Sequence, residues 1–355
     1  MSSASSQVTS QPQTLKLDLP PLIVNARPSD TAASGYVTGV DIGGTHQTAA
    51  LATLDGRLVA AARCDLRAGG TADDVYRNVL ALIEHVRAGA EPQREETPRL
   101  VRVGVGFGGP VDPRTGTIIT SHHVPGWDRV PRGSLLAEAL DTPVVVENDA
   151  NAAALAEALI GAGRGADVVL YANIGTGIGG GVVIGGQLYR GETGQAGEIG
   201  HTTVQPDGPA CTCGRRGCLE ALASGRTLDR RAQSLAADYR AGAAVRAAAG
   251  DDGLAVSGKH LLVAAGRGDA AALAVIEEAA AALGFALGNA ANLLNPGRIV
   301  IGGGVATAGE VLLAPIRAAT ETYLLPSLHL PQIVAAALGY EAGVAGALAL
   351  ALQGS

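Results

Sequence analysis

Lysine is nearly missing from this chain: Lys16 and Lys259 are the only two, and every other base is arginine. With 26 basic against 33 acidic residues the net charge is −7, so nothing pulls the chain generally toward nucleic acid or an anionic membrane. Aromatic side chains make up 3% of the residues, which leaves the core to small aliphatic groups. No apolar run approaches the roughly 20 residues needed to cross a bilayer. The first 34 residues are rich in Ser, Gln, Thr and Pro and lack an apolar signal core. Residues 1–34 are therefore expected to be a disordered leader that adds nothing to the fold, and the chain reads as cytoplasmic. Cysteine is scarce too, with four in all, and in such a compartment disulfides are rare.

What the chain does have is glycine, 50 residues of it, in a length of 355 that favours two lobes over one core. Three of the four cysteines, Cys211, Cys213 and Cys218, fall close together, with His201 ten residues before the first. Three thiolates and one imidazole are the ligand set of a closed tetrahedral zinc site. A disulfide is the competing reading, but Cys211 and Cys213 are too near in sequence to pair comfortably. With all four positions filled by protein the metal would be structural, pinning a loop that presents Glu198, His201 and Glu220. Cys64, outside this cluster, fits a small buried hydrophobe.

Two stretches share one plan. Residues 36–62 hold a strand ending in Asp41-Ile42-Gly43-Gly44-Thr45, then two further β-type runs joined by the turn Asp55-Gly56. Residues 168–189 repeat it, with Asn173-Ile174-Gly175-Thr176-Gly177 in the matching place. Glycines there let backbone N–H groups approach an anion, and Asp41 could hold magnesium through water. Two such hairpins facing across a cleft would grip a nucleotide's phosphates. Gly175-x-Gly177-x-x-Gly180 and Gly104-x-Gly106-x-x-Gly109 match a dinucleotide fingerprint, but neither opens a helix. Gly253-x-x-x-x-Gly258-Lys259 falls short of a P-loop because His260 replaces the magnesium-binding hydroxyl.

Periodicity predicts a helix over 71–87, a buried strand over 101–109 ending in the turn Gly108-Gly109-Pro110, and a strand at 144–146. His122 and His123 stay unassigned, and the loop around Trp127 is compatible with a sugar face packing there. Asp149 lies where the 144–146 strand gives way to an alanine-rich helix over 150–160. The helix dipole favours an ionised carboxylate there by roughly 0.3–1 kcal/mol, and a plain N-cap is the competing role. Alanine-rich helices fill 221–282, a further helix runs over 279–294 to Pro296, and a strand from Arg298 runs into Gly302-Gly303-Gly304, suited to an adenosine end. A last strand over 330–339 and a terminal helix over 343–352 close the chain.

Together these motifs resemble the ROK family (repressors, open reading frames, kinases), and within it the bacterial glucokinases. The match spans about residues 39–352, through Asp41–Thr45, Glu147-Asn148-Asp149, Gly197-Glu198-Ile199-Gly200-His201, Cys211-x-Cys213-Gly214-x-x-Gly217-Cys218-x-Glu220 and Asn295 to Gly304. The resemblance implies an α/β fold of actin-like, hexokinase (ribonuclease H-like) type, duplicated into two lobes. The lobes would be 35–147, with a terminal helix at about 341–355 crossing back, and 148–340 with the zinc motif. It implies ATP-dependent phosphorylation of a hexose, glucose first, with magnesium and structural zinc. Asp149 would be the general base, and Gly109, Asn148, Glu198, His201 and Glu220 would bind sugar hydroxyls. Gly43, Gly44, Thr45, Gly175, Thr176, Gly177, Gly303 and Gly304 would line the nucleotide with Asp41. His46 departs from the lysine or asparagine of many relatives. The rivals are kinases for N-acetylmannosamine, N-acetylglucosamine, fructose or allose, and sugar-responsive repressors, which carry an N-terminal helix-turn-helix in place of the Ser/Gln/Pro leader. Polyphosphate as donor stays open. A homodimer or homotetramer without nucleic-acid or membrane partners is expected.

Overall fold

The structure, a computed structural model, describes residues 11–22, 35–66, 71–90, 99–121, 124–250 and 255–354. His122, His123 and the first part of the P-loop-like stretch lie outside these residues. The chain forms two compact units. The first comprises Met1–Arg164, Arg190–Ala196 and Tyr340–Ser355, and the second Gly165–Tyr189 and Gly197–Gly339.

In the first unit come β1 (Gln13–Thr14), β2 (Tyr36–Ile42), β3 (His46–Thr53), β4 (Leu58–Asp65), α1 (Ala72–Ala88) and β5 (Leu100–Phe107). The hairpin of β6 (Val111–Asp112) and β7 (Thr117–Ile118), then α2 (Arg132–Leu140), β8 (Val144–Asn148) and α3 (Asp149–Leu159), follow. The sheet order is β1-β4-β3-β2-β5-β8; β2, β3 and β4 run antiparallel, and β5 and β8 join parallel. Helix α1 starts in a capping box between Thr71 and Asp74, which satisfies N–H groups the first turn leaves open. Its Val75, Val79, Leu82, Ile83 and Val86 form one buried stripe packed on the core of β2, β3 and β5. Trp127 belongs to that core: it is 1% exposed, stacks on Phe107 with ring centres 5.5 Å apart, and donates its N–H to the Ala72 carbonyl. A sugar-packing role for this ring is thereby ruled out, because both its face and its polar atom are already used.

The expectation that residues 1–34 add nothing to the fold fails for residues 11–22. Without β1, β4 would end the sheet, and such an edge exposes unpaired backbone groups. Gln13 and Thr14 pair with Arg63 and Ala62 of β4. Leu22, 3% exposed, donates its N–H to the Gly56 carbonyl.

The second unit repeats the topology. Strands β9 (Val168–Ile174), β10 (Ile178–Ile184) and β11 (Gln187–Leu188) run antiparallel. After α4 (Leu219–Ala223), α5 (Gly225–Ala237), α6 (Ala243–Ala249), α7 (Gly258–Gly266) and α8 (Ala270–Leu294), strand β12 (Arg298–Gly302) joins β9 in parallel. Helix α9 (Glu310–Thr322) leads to β13 (Gln332–Ala335), parallel to β12. The order β11-β10-β9-β12-β13 matches β4-β3-β2-β5-β8 strand for strand. Within the near-P-loop, Gly258 opens α7, and Ser257 and His260 form its capping box, so that stretch is a helix start. Helix α8 corrects the estimate of apolar runs: 25 residues long, with mean hydropathy 1.8 in its most apolar stretch, it could cross a membrane by length and composition. Half of that stretch is buried, with Ile276, Ala280, Leu283 and Leu287 in the core of the unit. Small alanines dilute the signal along the sequence.

Helix α10 (Ala342–Gln353) belongs to the first unit, against α3, β2 and β5. The approach is close enough that a Cβ on Gly346 would lie 2.0 Å from the Ala152 carbonyl oxygen, and one on Gly39 2.4 Å from the Leu348 nitrogen. This packing moves the boundary of the first unit from the expected 147 to Arg164. Helix α3 is buried from Ala150 to Glu157, and its partner is α10.

Candidate active site and metal centre

In the first unit, β2 ends in Asp41 and turns through Gly43, whose N–H donates to the His46 carbonyl at 3.1 Å. Gly44 and Thr45 are exposed at this turn, and the Thr45 hydroxyl lies 2.9 Å from His46 Nδ1. Burial first, and the nearby charge of Asp149 second, push the Asp41 carboxyl up to about 7. The group keeps partial access to solvent while lying deep among protein atoms; a Cβ on Gly343 of α10 would come within 2.7 Å of it. Burial among neighbours, rather than surface area, governs a charge here.

Strand β8 delivers the other carboxylates. Asn148, not Asp149, caps α3: its Oδ1 accepts from the N–H groups of Ala150 at 2.9 Å and Asn151 at 3.2 Å. Its Nδ2 donates to the Gly109 carbonyl at 3.1 Å, which fastens the Gly108-Gly109-Pro110 turn beside the helix start. Asp149 is the first residue of the helix; its Oδ1 also accepts from the Ala150 N–H at 2.8 Å, while the N-cap itself is its neighbour Asn148. Gly109, Asn148, Asp149 and Asp41 thus gather at one end of one sheet. Two groups here escaped sequence reasoning in any functional sense: Glu147, fully buried, and Arg190, whose Nε donates to Glu147 Oε2 at 2.7 Å. No local pattern links residues so far apart in sequence.

In the second unit, Gly197–His201 lies against β10, with Glu198 exposed and the turn Ile199–His201 closed by the His201 N–H on the Glu198 carbonyl. Glu220, in the first turn of α4, accepts from the Ile178 N–H at 3.0 Å and from the Thr212 hydroxyl at 3.1 Å. One carboxylate therefore ties the cysteine loop to the start of β10. The oxygen that accepts from Ile178 would sit 2.4 Å from a Cβ on Gly177, so a side chain there would push the Glu220 carboxylate aside. The Gly175 carbonyl accepts from Gly225 N–H, which leaves Thr176 exposed at the tip. Gly303 has φ +83°, and a Cβ there would be 2.4 Å from the Ile174 carbonyl oxygen. The glycines of β9–β10 and of the β12 end are therefore neighbours, with Gly304 facing open space.

The four zinc-type residues also converge. One ligand atom each of His201, Cys211, Cys213 and Cys218 lies within 4.8 Å of all the others. Cys213 and Cys218 sulfurs are 3.6 Å apart, and Cys211 Sγ is 3.7 Å from His201 Nδ1. A tetrahedron with metal–sulfur bonds of about 2.3 Å has edges of about 3.8 Å, so the donor set fits such a metal. All three thiols are free. The backbone and side chain of Arg215 hold Cys213 down to about 6, while burial and the neighbouring thiols push Cys218 up to about 12. Gly217, at φ +67°, makes the turn possible, since a Cβ there would fall 1.5 Å from the Gln205 carbonyl oxygen.

A duplicated α/β topology with an Asp-Ile-Gly-Gly-Thr turn in one half and a glycine hairpin in the other defines the actin-like, hexokinase-type fold. The chain belongs to the ROK family, whose model matches residues 37–354. It is 37% identical over 313 residues to a glucokinase of Thermotoga maritima, covering 88% of this chain and 96% of that protein. An N-acetylmannosamine kinase of Escherichia coli O157:H7 is 33% identical, with 88% and 97% covered. Among solved structures, a ROK family glucokinase from Streptomyces griseus, in complex with glucose and AMPPNP, is similar with a TM-score of 0.74. It is 38% identical, with 90% of this chain and all of that one covered.

Proposed function

We infer that this chain is a sugar kinase that transfers the γ-phosphoryl group of ATP to glucose, giving glucose 6-phosphate, with Asp149 as general base. The observation that carries this reading is the nearness of Asp41, at the end of β2, to Asp149, the first residue of α3 after β8, beside a Gly-Gly-Thr turn. The kinship with glucokinases at 37–38% identity supports the same chemistry. Asp149 accepts the proton of the sugar hydroxyl as its oxygen attacks the γ-phosphorus and the bond to ADP breaks. A positioned base of this kind contributes typically about 10²–10⁴-fold.

Asn148 and Gly109 fix the base by the bonds described above, and with Glu198, His201 and Glu220 they accept and donate to the remaining hydroxyls. Charged acceptors discriminate between hydroxyl patterns more sharply than apolar walls. The turns Gly43–Thr45 and Gly175–Gly177, with Gly303 and Gly304, offer backbone N–H groups to the nucleotide. Asp41 would hold the divalent cation, magnesium, that accompanies ATP, and that cation supplies charge neutralisation at the phosphates. Zinc at His201, Cys211, Cys213 and Cys218 would be structural, binding through His201 Nδ1 and leaving Nε2 for a hydroxyl. A cytoplasmic homodimer or homotetramer goes with this reading, and light scattering on the purified protein tests the assembly.

The test is coupled ADP release with magnesium and ATP across glucose, fructose, allose, N-acetylmannosamine and N-acetylglucosamine, with polyphosphate as a second donor. Glucose is expected to give the highest kcat/KM with ATP. A preference for N-acetylmannosamine would move the substrate assignment to the other relative, and no turnover with any sugar would overturn the kinase reading.

A further inference from the structure

The segment Arg190–Ala196 belongs to the first unit although the chain on both sides of it belongs to the second. It is closed on itself by the Ala196 N–H donating to the Arg190 carbonyl at 3.1 Å. It is also seated on its unit, since a Cβ on Gly194 would lie 2.5 Å from Pro113. Its first residue is the partner of the most deeply buried carboxylate near the helix start. The Glu147 side chain is 1% exposed and the Arg190 side chain 33%.

Both Glu147 oxygens are engaged. Oε2 accepts from Arg190 Nε at 2.7 Å. Oε1 accepts from the Asn148 N–H and from Asn151 Nδ2, each at 3.0 Å. Asn148 in turn caps α3 and holds the Gly109 carbonyl. A single chain of contacts thus runs from Arg190 through Glu147 and Asn148 to the first turn of the helix, where Asp149 sits. A buried carboxylate stripped of its cation is strongly disfavoured as an ion. Without Arg190, the ion pair that anchors Oε2 is gone and Oε1 is free to move away from the Asn148 and Asn151 donors.

We propose that Arg190 is a positioning residue for the kinase reaction, anchoring the Glu147 side chain so that the Asn148 cap presents Asp149 in its working geometry. The inference rests on the kinase reading, with Asp149 as base. A misplacement of about 1 Å at a reacting group can cost on the order of 100-fold in rate. Arg190→Gln should accordingly lower kcat by on the order of 10–100-fold while the KM for glucose stays within about threefold. Arg190→Lys, which keeps the cation and loses the planar fork, should recover at least half of that loss on a logarithmic scale. A loss of packing alone would not be rescued this way.

Hydrogen exchange of the Asn148 amide, read by NMR on the resting protein, reports the cap without any turnover. It should speed up by about tenfold or more in Arg190→Gln, because its acceptor is no longer anchored. Unchanged kcat and unchanged Asn148 exchange in a folded Arg190→Gln protein would overturn the inference while leaving the kinase reading intact. A wild-type protein without kinase activity would instead sink the kinase reading, and the exchange rate would still decide whether Arg190 holds the turn.

Discussion

The two units share a strand order and differ in charge at the equivalent place. In the first, β2 ends in Asp41, whose carboxyl is pushed up to about 7 by burial and by Asp149. In the second, β9 ends in Asn173, a neutral amide against which Gly303 packs. The glycine turn is common to both units, and the carboxylate is present at this place in only one. The second unit regains acidic groups through material inserted between β11 and β12. Glu220 is anchored on Ile178 and Thr212, and Glu198 stands beside a four-ligand knuckle. One unit carries its carboxylates at a sheet end, the other on an inserted loop beside four zinc-type ligands. The physical lesson is that an acid at a sheet end is positioned by strands, whereas an acid on an inserted loop needs a separate source of order.

Removing that source gives the largest expected effect on sugar binding. Cys213→Ser, or prolonged chelation, should release zinc, loosen Gly197–Glu220, and raise the glucose KM on the order of 10–100-fold. Elemental analysis and KM measurements check it, and purified wild-type protein free of zinc would contradict the structural-metal account.

The sheet of the first unit should respond through stability instead. Leu22→Ala removes a buried side chain from the segment that runs on from β1 to the Asp55-Gly56 turn, and should cost about 2–3 kcal/mol, read from urea unfolding, with kcat unchanged. A cost near zero would return residues 11–22 to the status of an inert leader.

The smallest effect tests the Asp41–Asn173 contrast itself. A carboxyl raised from 3.8 to about 7 binds more protons folded than unfolded between those values. It therefore favours the folded state below pH 4 and loses that contribution as pH rises toward 7. Asp41→Asn, which makes the first unit resemble the second, should flatten this slope in metal-free protein. At pH 8 it should stabilise by about 1–2 kcal/mol, well short of the full shift because the carboxyl keeps some access to water. An unaltered pH slope would show that Asp41 is solvated like any surface acid.

Much of this was legible in the sequence because the signals were local. The repeated glycine turns at Asp41 and Asn173 disclosed the duplication, and the spacing of Cys211, Cys213, Cys218 and His201 disclosed the knuckle. The errors came where tertiary partners decide. Asn148 and Asp149 are both favoured caps, and one residue of helix boundary separates a cap from a candidate base. Trp127 looked available until Phe107 and the Ala72 carbonyl claimed it. Helix α3 was assigned to the wrong unit because its alanines carry no mark of facing α10. Arg190 bore no signal, since its partner Glu147 is 43 positions away.

The most direct test of the account compares Asp149→Asn with the wild type in glucose-dependent ADP release, alongside glucose binding by calorimetry. The amide keeps the shape and removes the base, so turnover should fall by about 10²–10⁴-fold, with glucose affinity changed less than about tenfold. A variant that binds glucose normally and retains a tenth of wild-type kcat would contradict the assignment of Asp149.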